Sequence, residues 1–106
     1  MERAGAAVIF SSRRTSADPT GYQQTATRML ELVQQQPGYL GMDSVRDADG
    51  FGITVSWWTS IEAAGLWKHQ AEHLQAQQLG RDVWYEHYEL RVCTVVREEF
   101  FPARQS

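Results

Sequence analysis

The residues best equipped for chemistry fall in one run, Trp67-Lys68-His69-Gln70-Ala71-Glu72-His73, with Gly80-Arg81 and Trp84-Tyr85 downstream. His69 and His73 are spaced i, i+4, so on a helix they stand about 40° apart. Such a pair with Glu72 beside it is half of a zinc site. Structural zinc wants four ligands and the sequence offers no third, so no metal is expected. A histidine that binds no metal can instead donate a hydrogen bond or take a proton at a pocket rim, where a pKa near 6.5 is useful. On a helical wheel His69 lies nearly opposite Trp67, on a Gln-rich face that reads as solvated. His73 lies about 120° from Trp67, on the flank of the buried side. His73 is therefore the candidate base or donor, although a solvated histidine is the plainer reading of it too.

The chain is rich in aromatics, with 4 Trp and 4 Tyr in 106 residues. Trp57, Trp58, Trp67 and Trp84 suit a flat pocket for a polycyclic or quinone-like ligand, or else ordinary core and subunit contacts. Arg13, Arg14 and Arg81 suit an acidic ligand, or else plain surface charge. The candidate site is His73 and Trp67 for catalysis, with Trp58, Arg81 and Tyr85 around the substrate. Cys93 reads as an inert small hydrophobe in mid-strand. The chain has no phosphate-cradling glycine loop, no paired cysteine ligands and no nucleophile elbow, so no cofactor is expected.

These residues need elements to hold them. Ala6 to Arg13 reads as a strand, with Ala7 to Phe10 apolar on both faces. Asp18-Pro19 opens a helix, as N-cap and first helical residue. Its apolar face is Tyr22, Ala26, Met29, Leu30 and Val33, and Pro37-Gly38 stops it. A strand from about Tyr39 to Arg46 places Leu40, Met42, Ser44 and Arg46 on one face. Asp47 to Gly50 turns into a strand from Phe51 to Trp58. Its even positions, Gly52, Thr54, Ser56 and Trp58, make a small-residue face ending in an aromatic. Thr59 to Glu62 has the form of a capping box with Thr59 as cap. The helix it opens runs to about Leu79, with Ala63, Ala64, Trp67, Ala71 and Leu74 toward the sheet and Gly80 ending it. A last strand runs from about Tyr85 to Arg97, with Glu86, Tyr88, Leu90, Val92, Thr94 and Val96 on one face.

The order strand, helix, strand, strand, helix, strand predicts an α+β, ferredoxin-like βαββαβ sandwich. It forms a single domain over residues 1–106, with a core at about 6–97 and a tail at 98–106. Two helices cover one sheet face only, yet the strands are apolar on both. A second copy of the chain packed on the open face is the expected cover, making a homodimer. The hydrophobic fraction of 42% and charged fraction of 22% describe a globular chain, not a disordered one. A net charge of -3 argues against a nucleic-acid binder. No apolar run approaches the roughly 18 residues of a membrane span, and no signal peptide is evident. A single cysteine fits a reducing, cytoplasmic setting.

The βαββαβ order, the Trp57-Trp58-Thr59-Ser60-Ile61-Glu62 junction and the Trp67 to His73 run with Ala76-Gln77, Gly80-Arg81 and Trp84-Tyr85 together resemble the antibiotic biosynthesis monooxygenase family. The likeness extends over nearly the whole chain, from about Ala6 to Arg97. It points to a bacterial branch whose activity is largely uncharacterised. It implies a dimeric α/β barrel with a pocket between helices and sheet in each subunit. It also implies one of two chemistries. Some relatives oxidise aromatic polyketides to quinones with O₂ and no cofactor. Others bind and degrade heme with an Asn on the first strand and a Trp and His near the second helix. The chain has no asparagine, and His73 follows Trp67 too closely for the heme pattern. The quinone-formers also tend to use Asn, so their set is incomplete here as well. The leading expectation is a cofactor-independent monooxygenase acting on a small aromatic or polyketide-like substrate. The alternative is a dimeric ligand-binding or stress-associated module without turnover, and heme binding ranks third.

Overall fold

The computed structural model describes residues 3–77 and 83–103, the side chains of 73–77 excepted. The elements in chain order are β1 (Ala6–Arg14), α1 (Pro19–Val33), β2 (Tyr39–Arg46), β3 (Phe51–Trp58), α2 (Ile61–Gln77) and β4 (Tyr85–Thr94). The strands form one sheet in the order β2-β3-β1-β4, antiparallel throughout. This is the expected ferredoxin-like arrangement, with β1 central and nearly continuously apolar over its first half. Ala6, Ala7 and Val8 are all buried.

Each helix begins where a side chain accepts orphan amides. Asp18 Oδ1 accepts from the Gly21 amide at 3.1 Å, and Pro19 takes the first helical position. At α2 the cap is Ser60, one residue later than the capping-box pattern suggests. Its Oγ accepts from the Ala63 amide at 3.1 Å. Thr59 is held elsewhere, its amide donating to the Gly38 carbonyl at 2.9 Å. Gly38 itself has φ of 85°, and a Cβ there would meet Thr59 Oγ1 at 2.7 Å and the Ala63 Cβ at 2.8 Å. Glycine is needed at this crossing for both reasons.

The core lies between α2 and the helix-facing side of β1 and β3. Ala6, Val8, Trp58, Ala64, Trp67 and Ala71 pack there, joined by Val33 from α1. The inward face of α1 is the expected one, widened by Thr25 and Leu32. Thr25 and Val33 are buried, with Met29 and Leu32 packed against the core, while Leu30 is 47% exposed. Thr25, Met29, Leu32 and Val33, at i, i+4, i+7 and i+8, meet the core, while the expected Tyr22, Ala26 and Leu30 border the open space beside it.

Two bulges break the strict alternation of the outer strands. In β2 the pairing runs Tyr39 with Trp58, then Gly41 with Trp57, so Leu40 is extra. Tyr39 thereby joins the helix-facing side, and Leu40 does not continue the Met42, Ser44, Arg46 row. In β4 the pairing runs Arg13 with His87, then Arg14 with Tyr85. Glu86 is the extra residue, and it is exposed. Tyr85, not Glu86, turns toward the helices. A bulge re-aims side chains in this way without ending the strand. β4 also ends at Thr94, three residues before the expected Arg97. The Val95 amide still donates to the Gly5 carbonyl at 3.0 Å, after which the chain leaves the sheet.

Candidate functional site

Cross-strand pairing builds a floor of four rows on the helix-facing side. The registers align Tyr39 with Trp58, Ala6 and Thr94. Next come Met42, Ser56, Val8 and Val92. The third row is Ser44, Thr54, Phe10 and Leu90, and the fourth is Arg46, Gly52, Ser12 and Tyr88. The first row is sealed by α2. Trp67 stacks on Trp58 with ring centroids 6.2 Å apart and planes 25° apart. Over the middle rows the helices stand off. They leave a cavity of about 320 Å³ lined by the sheet floor, by Tyr22, Thr25, Ala26, Met29 and Leu30 of α1, and by Trp67, Lys68, Ala71 and Glu72 of α2. A volume of this order suits one small ligand.

Aromatic rings close one end. Phe10 meets Tyr85 edge-on at 5.4 Å and Tyr88 at 5.3 Å. Tyr22 meets Trp84 at 5.9 Å and Tyr85 at 6.1 Å, both nearly perpendicular. Trp84 is fixed from behind, its Nε1 donating to Asp18 Oδ2 at 3.1 Å. The N-cap of α1 thus also anchors the cavity wall. Behind Tyr22, the Arg14 guanidinium lies 3.6 Å from the ring centroid, a cation–π contact.

The polar groups have distinct roles. Burial, and then the adjacent Tyr22 hydroxyl, hold the Tyr85 phenol well above its ordinary pKa of 10.0. Tyr85 is therefore neutral near pH 7, a hydrogen-bond donor and not a base. Ser56 Oγ is already engaged, accepting from Trp58 Nε1 at 2.8 Å. Ser44 and Thr54 hydroxyls pair with each other at 2.6 Å. Lys68 and Glu72 form an i, i+4 ion pair. Arg46 reaches across Gly52 to Ser12, its Nη2 donating to Ser12 Oγ at 2.9 Å.

Of the residues singled out from sequence, Trp67, Trp84 and Tyr85 line the cavity together. Trp58 is buried behind Trp67 in the core and is not part of the lining. Trp57 lies on the opposite sheet face, its Nε1 donating to Asp43 Oδ2 at 3.3 Å. Arg13 stacks 5.7 Å from the Phe51 ring on that same outer face. His69 is exposed, as its place on the wheel implies. His73 belongs to α2, but its side chain lies outside the described residues, and Arg81 lies outside them altogether. Among the described residues no three His, Cys, Asp or Glu side chains gather as a metal would need. No helix there is long and apolar enough to cross a membrane. Sequence reasoning missed Arg46, Tyr22 and the Lys68–Glu72 pair. Arg46 left one signal, a glycine directly opposite it on the neighbouring strand.

Comparison with known proteins places this geometry. The family described as antibiotic biosynthesis monooxygenase matches residues 8–79. An uncharacterised protein of Bacillus subtilis, YqjZ, is 54% identical over 95 residues, covering 90% of this chain and 82% of that protein. SnoaB of Streptomyces nogalater, described as a cofactor-independent oxygenase, superposes with a TM-score of 0.69 at 15% identity, over 91% of this chain and 97% of its own. A protein of Nitrosomonas europaea, described as a putative antibiotic biosynthesis monooxygenase, gives 0.68 at 13% identity, over 91% and 95% of the two chains. At those identities the two structures share the fold.

Proposed function

Since the chain belongs to the antibiotic biosynthesis monooxygenase family, we propose that it is a cofactor-independent monooxygenase that oxidises a small aromatic substrate with O₂ in the cavity between helices and sheet. The observation that carries this reading is the cavity itself, about 320 Å³ walled by Phe10, Tyr22, Trp67, Trp84 and Tyr85. Flat aromatic walls favour a flat aromatic guest.

The chemistry needs a substrate C–H acidic enough to be deprotonated. A base takes that proton, and the carbanion passes its electrons to O₂ as a C–O bond forms. The resulting hydroperoxide loses water and leaves a carbonyl, so one oxygen atom enters the product and the other leaves as water. The protein supplies the base, a dry site and a donor to the developing oxyanion. His73 is the proposed base, from its place on the flank of α2. Tyr85, neutral and buried, is the proposed donor, with Arg81 as a further polar contact. Trp67 is the wall against which the ring plane rests. The test is conversion of a reduced anthrone to its quinone by chelator-treated protein. Conversion above the buffer rate supports the reading. Conversion at the buffer rate, with ligand still bound, would make the protein a binding module instead.

We also propose a homodimer through the outer sheet face. Val45 is 73% and Ile53 37% exposed there, with Phe51, Val55 and Trp57 beside them on the same face. Light scattering is expected to give twice the 12.1 kDa of one chain. A monomer at micromolar concentration would contradict it. Its single free cysteine, Cys93, suits a reducing cytoplasm.

A further inference from the structure

We infer that Arg46 is an anion-binding corner of this cavity, so that its ligand is an aromatic compound bearing an acidic group such as a carboxylate or ionised enol. The inference rests on the proposed reading of the cavity as a binding site and deepens it by naming the substrate class.

The Arg46 side chain is built into place. It starts on β2, crosses β3 and bonds to β1. Nη2 donates to Ser12 Oγ at 2.9 Å. Nη1 donates to the Gly50 carbonyl at 2.5 Å and to the Ser12 carbonyl at 3.4 Å. The crossing exists because residue 52 has no side chain. A Cβ there would come within 2.7 Å of the Arg46 Cζ. Ser12 is fully buried, so the contact also satisfies a hydroxyl that water does not reach.

All three acceptors are neutral. The described ion pairs are Arg28–Glu31, Lys68–Glu72, Arg91–Glu89 and Arg97–Glu99, and Arg46 is in none of them. The carboxylate among the described lining residues is Glu72, and Lys68 neutralises it. Among the described residues the lining therefore carries one uncompensated positive charge. A guanidinium has five N–H donors, and three are claimed here. Among the described residues the Nε–H and one Nη2–H have no partner, and the Nε and Nη2 atoms share one edge of the fork. That edge matches the two oxygens of a carboxylate or an enolate paired with a neighbouring carbonyl. The adjacent floor row holds Phe10 and Thr54. An aromatic body resting there sets its substituent beside Arg46.

The test is calorimetric titration with 2-naphthoate and its neutral isostere 2-naphthamide. In the parent protein naphthoate is expected to bind at least about tenfold more tightly, with the difference shrinking in high salt. R46M is expected to cut the preference to about twofold or less, and R46K to leave an intermediate value, since it keeps charge but loses the fork. G52A keeps the charge and displaces it, and is expected to lower the preference by at least about threefold. Should R46M fail to fold by circular dichroism, R46K and G52A decide. Equal binding of the two ligands, a preference that survives these variants, or no binding of either at millimolar concentration would overturn the inference. Protein that prefers naphthoate yet oxidises no aromatic substrate would sink the oxygenase reading alone. Protein that oxidises a neutral anthrone and ignores the naphthoate charge would sink this one alone.

Discussion

The Trp67 indole lies nearly parallel to that of Trp58, 25° between their planes and 6.2 Å between their centroids. One ring is wholly core, at 0% exposure, and the other is both core and cavity wall. Trp67→Ala is expected to cost about 3–5 kcal/mol in urea melts, because the alanines around it cannot collapse to fill the space. A loss below about 1 kcal/mol would show that the stack is not a structural contact.

Beneath the stack, Trp58 Nε1 has Ser56 Oγ as its acceptor, and both residues are buried. Ser56→Ala removes the acceptor and leaves the indole N–H unpaired away from water. The expected loss is about 1–3 kcal/mol. Ser56→Thr keeps a hydroxyl and is expected to recover part of it. If alanine and threonine variants melt with the parent, the hydrogen bond contributes nothing net.

Much of the fold is legible in the sequence because most of its signals are local. The apolar run of β1, the Asp18-Pro19 start, the Asp47 to Gly50 turn and the Ala64–Trp67–Ala71 stripe each act within a few residues. The site is less legible because it depends on pairing between strands. Period-2 alternation assigns Tyr85 and Tyr39 to the outer face. Bulges at Glu86 and Leu40 bring both to the helix side, and nothing local in either strand announces them. Arg46 becomes a cavity residue only because Gly52 stands opposite it and Ser12 stands one strand beyond. Trp58 suggested a pocket wall by its residue type, but Trp67 covers it.

Stability is expected to fall at alkaline pH. Burial raises the folded pKa of Tyr85 far above 10.0, and burial followed by Asp43 raises that of Tyr39. The unfolded chain sheds these protons near pH 10 while the folded chain keeps them. Above about pH 10 the unfolded state therefore holds fewer protons, and stability declines as pH rises; below it these groups add no slope. Urea midpoints between about pH 9 and pH 11.5 are expected to fall less steeply for Tyr85→Phe than for the parent. Identical slopes would mean that Tyr85 is solvated.

His69 and His73 form an internal control, one turn apart on α2. If His73 is the base, His73→Ala is expected to lower turnover by about 10²–10⁴-fold with little change in stability. His69 is exposed, and its alanine variant is expected to match the parent in both respects. Sensitivity at His69 instead, or at neither, would remove the assignment.

Whether the cavity houses an oxygenase is measured most directly by oxygen consumption. Chelator-treated, flavin-free protein is placed in an oxygen electrode with a reduced anthrone. The expected result is substrate-dependent uptake of one O₂ per quinone formed, lost on heat denaturation and strongly reduced in Trp67→Ala that is still folded. Uptake no faster than buffer alone, from protein shown by calorimetry to bind the same compound, would contradict the oxygenase assignment.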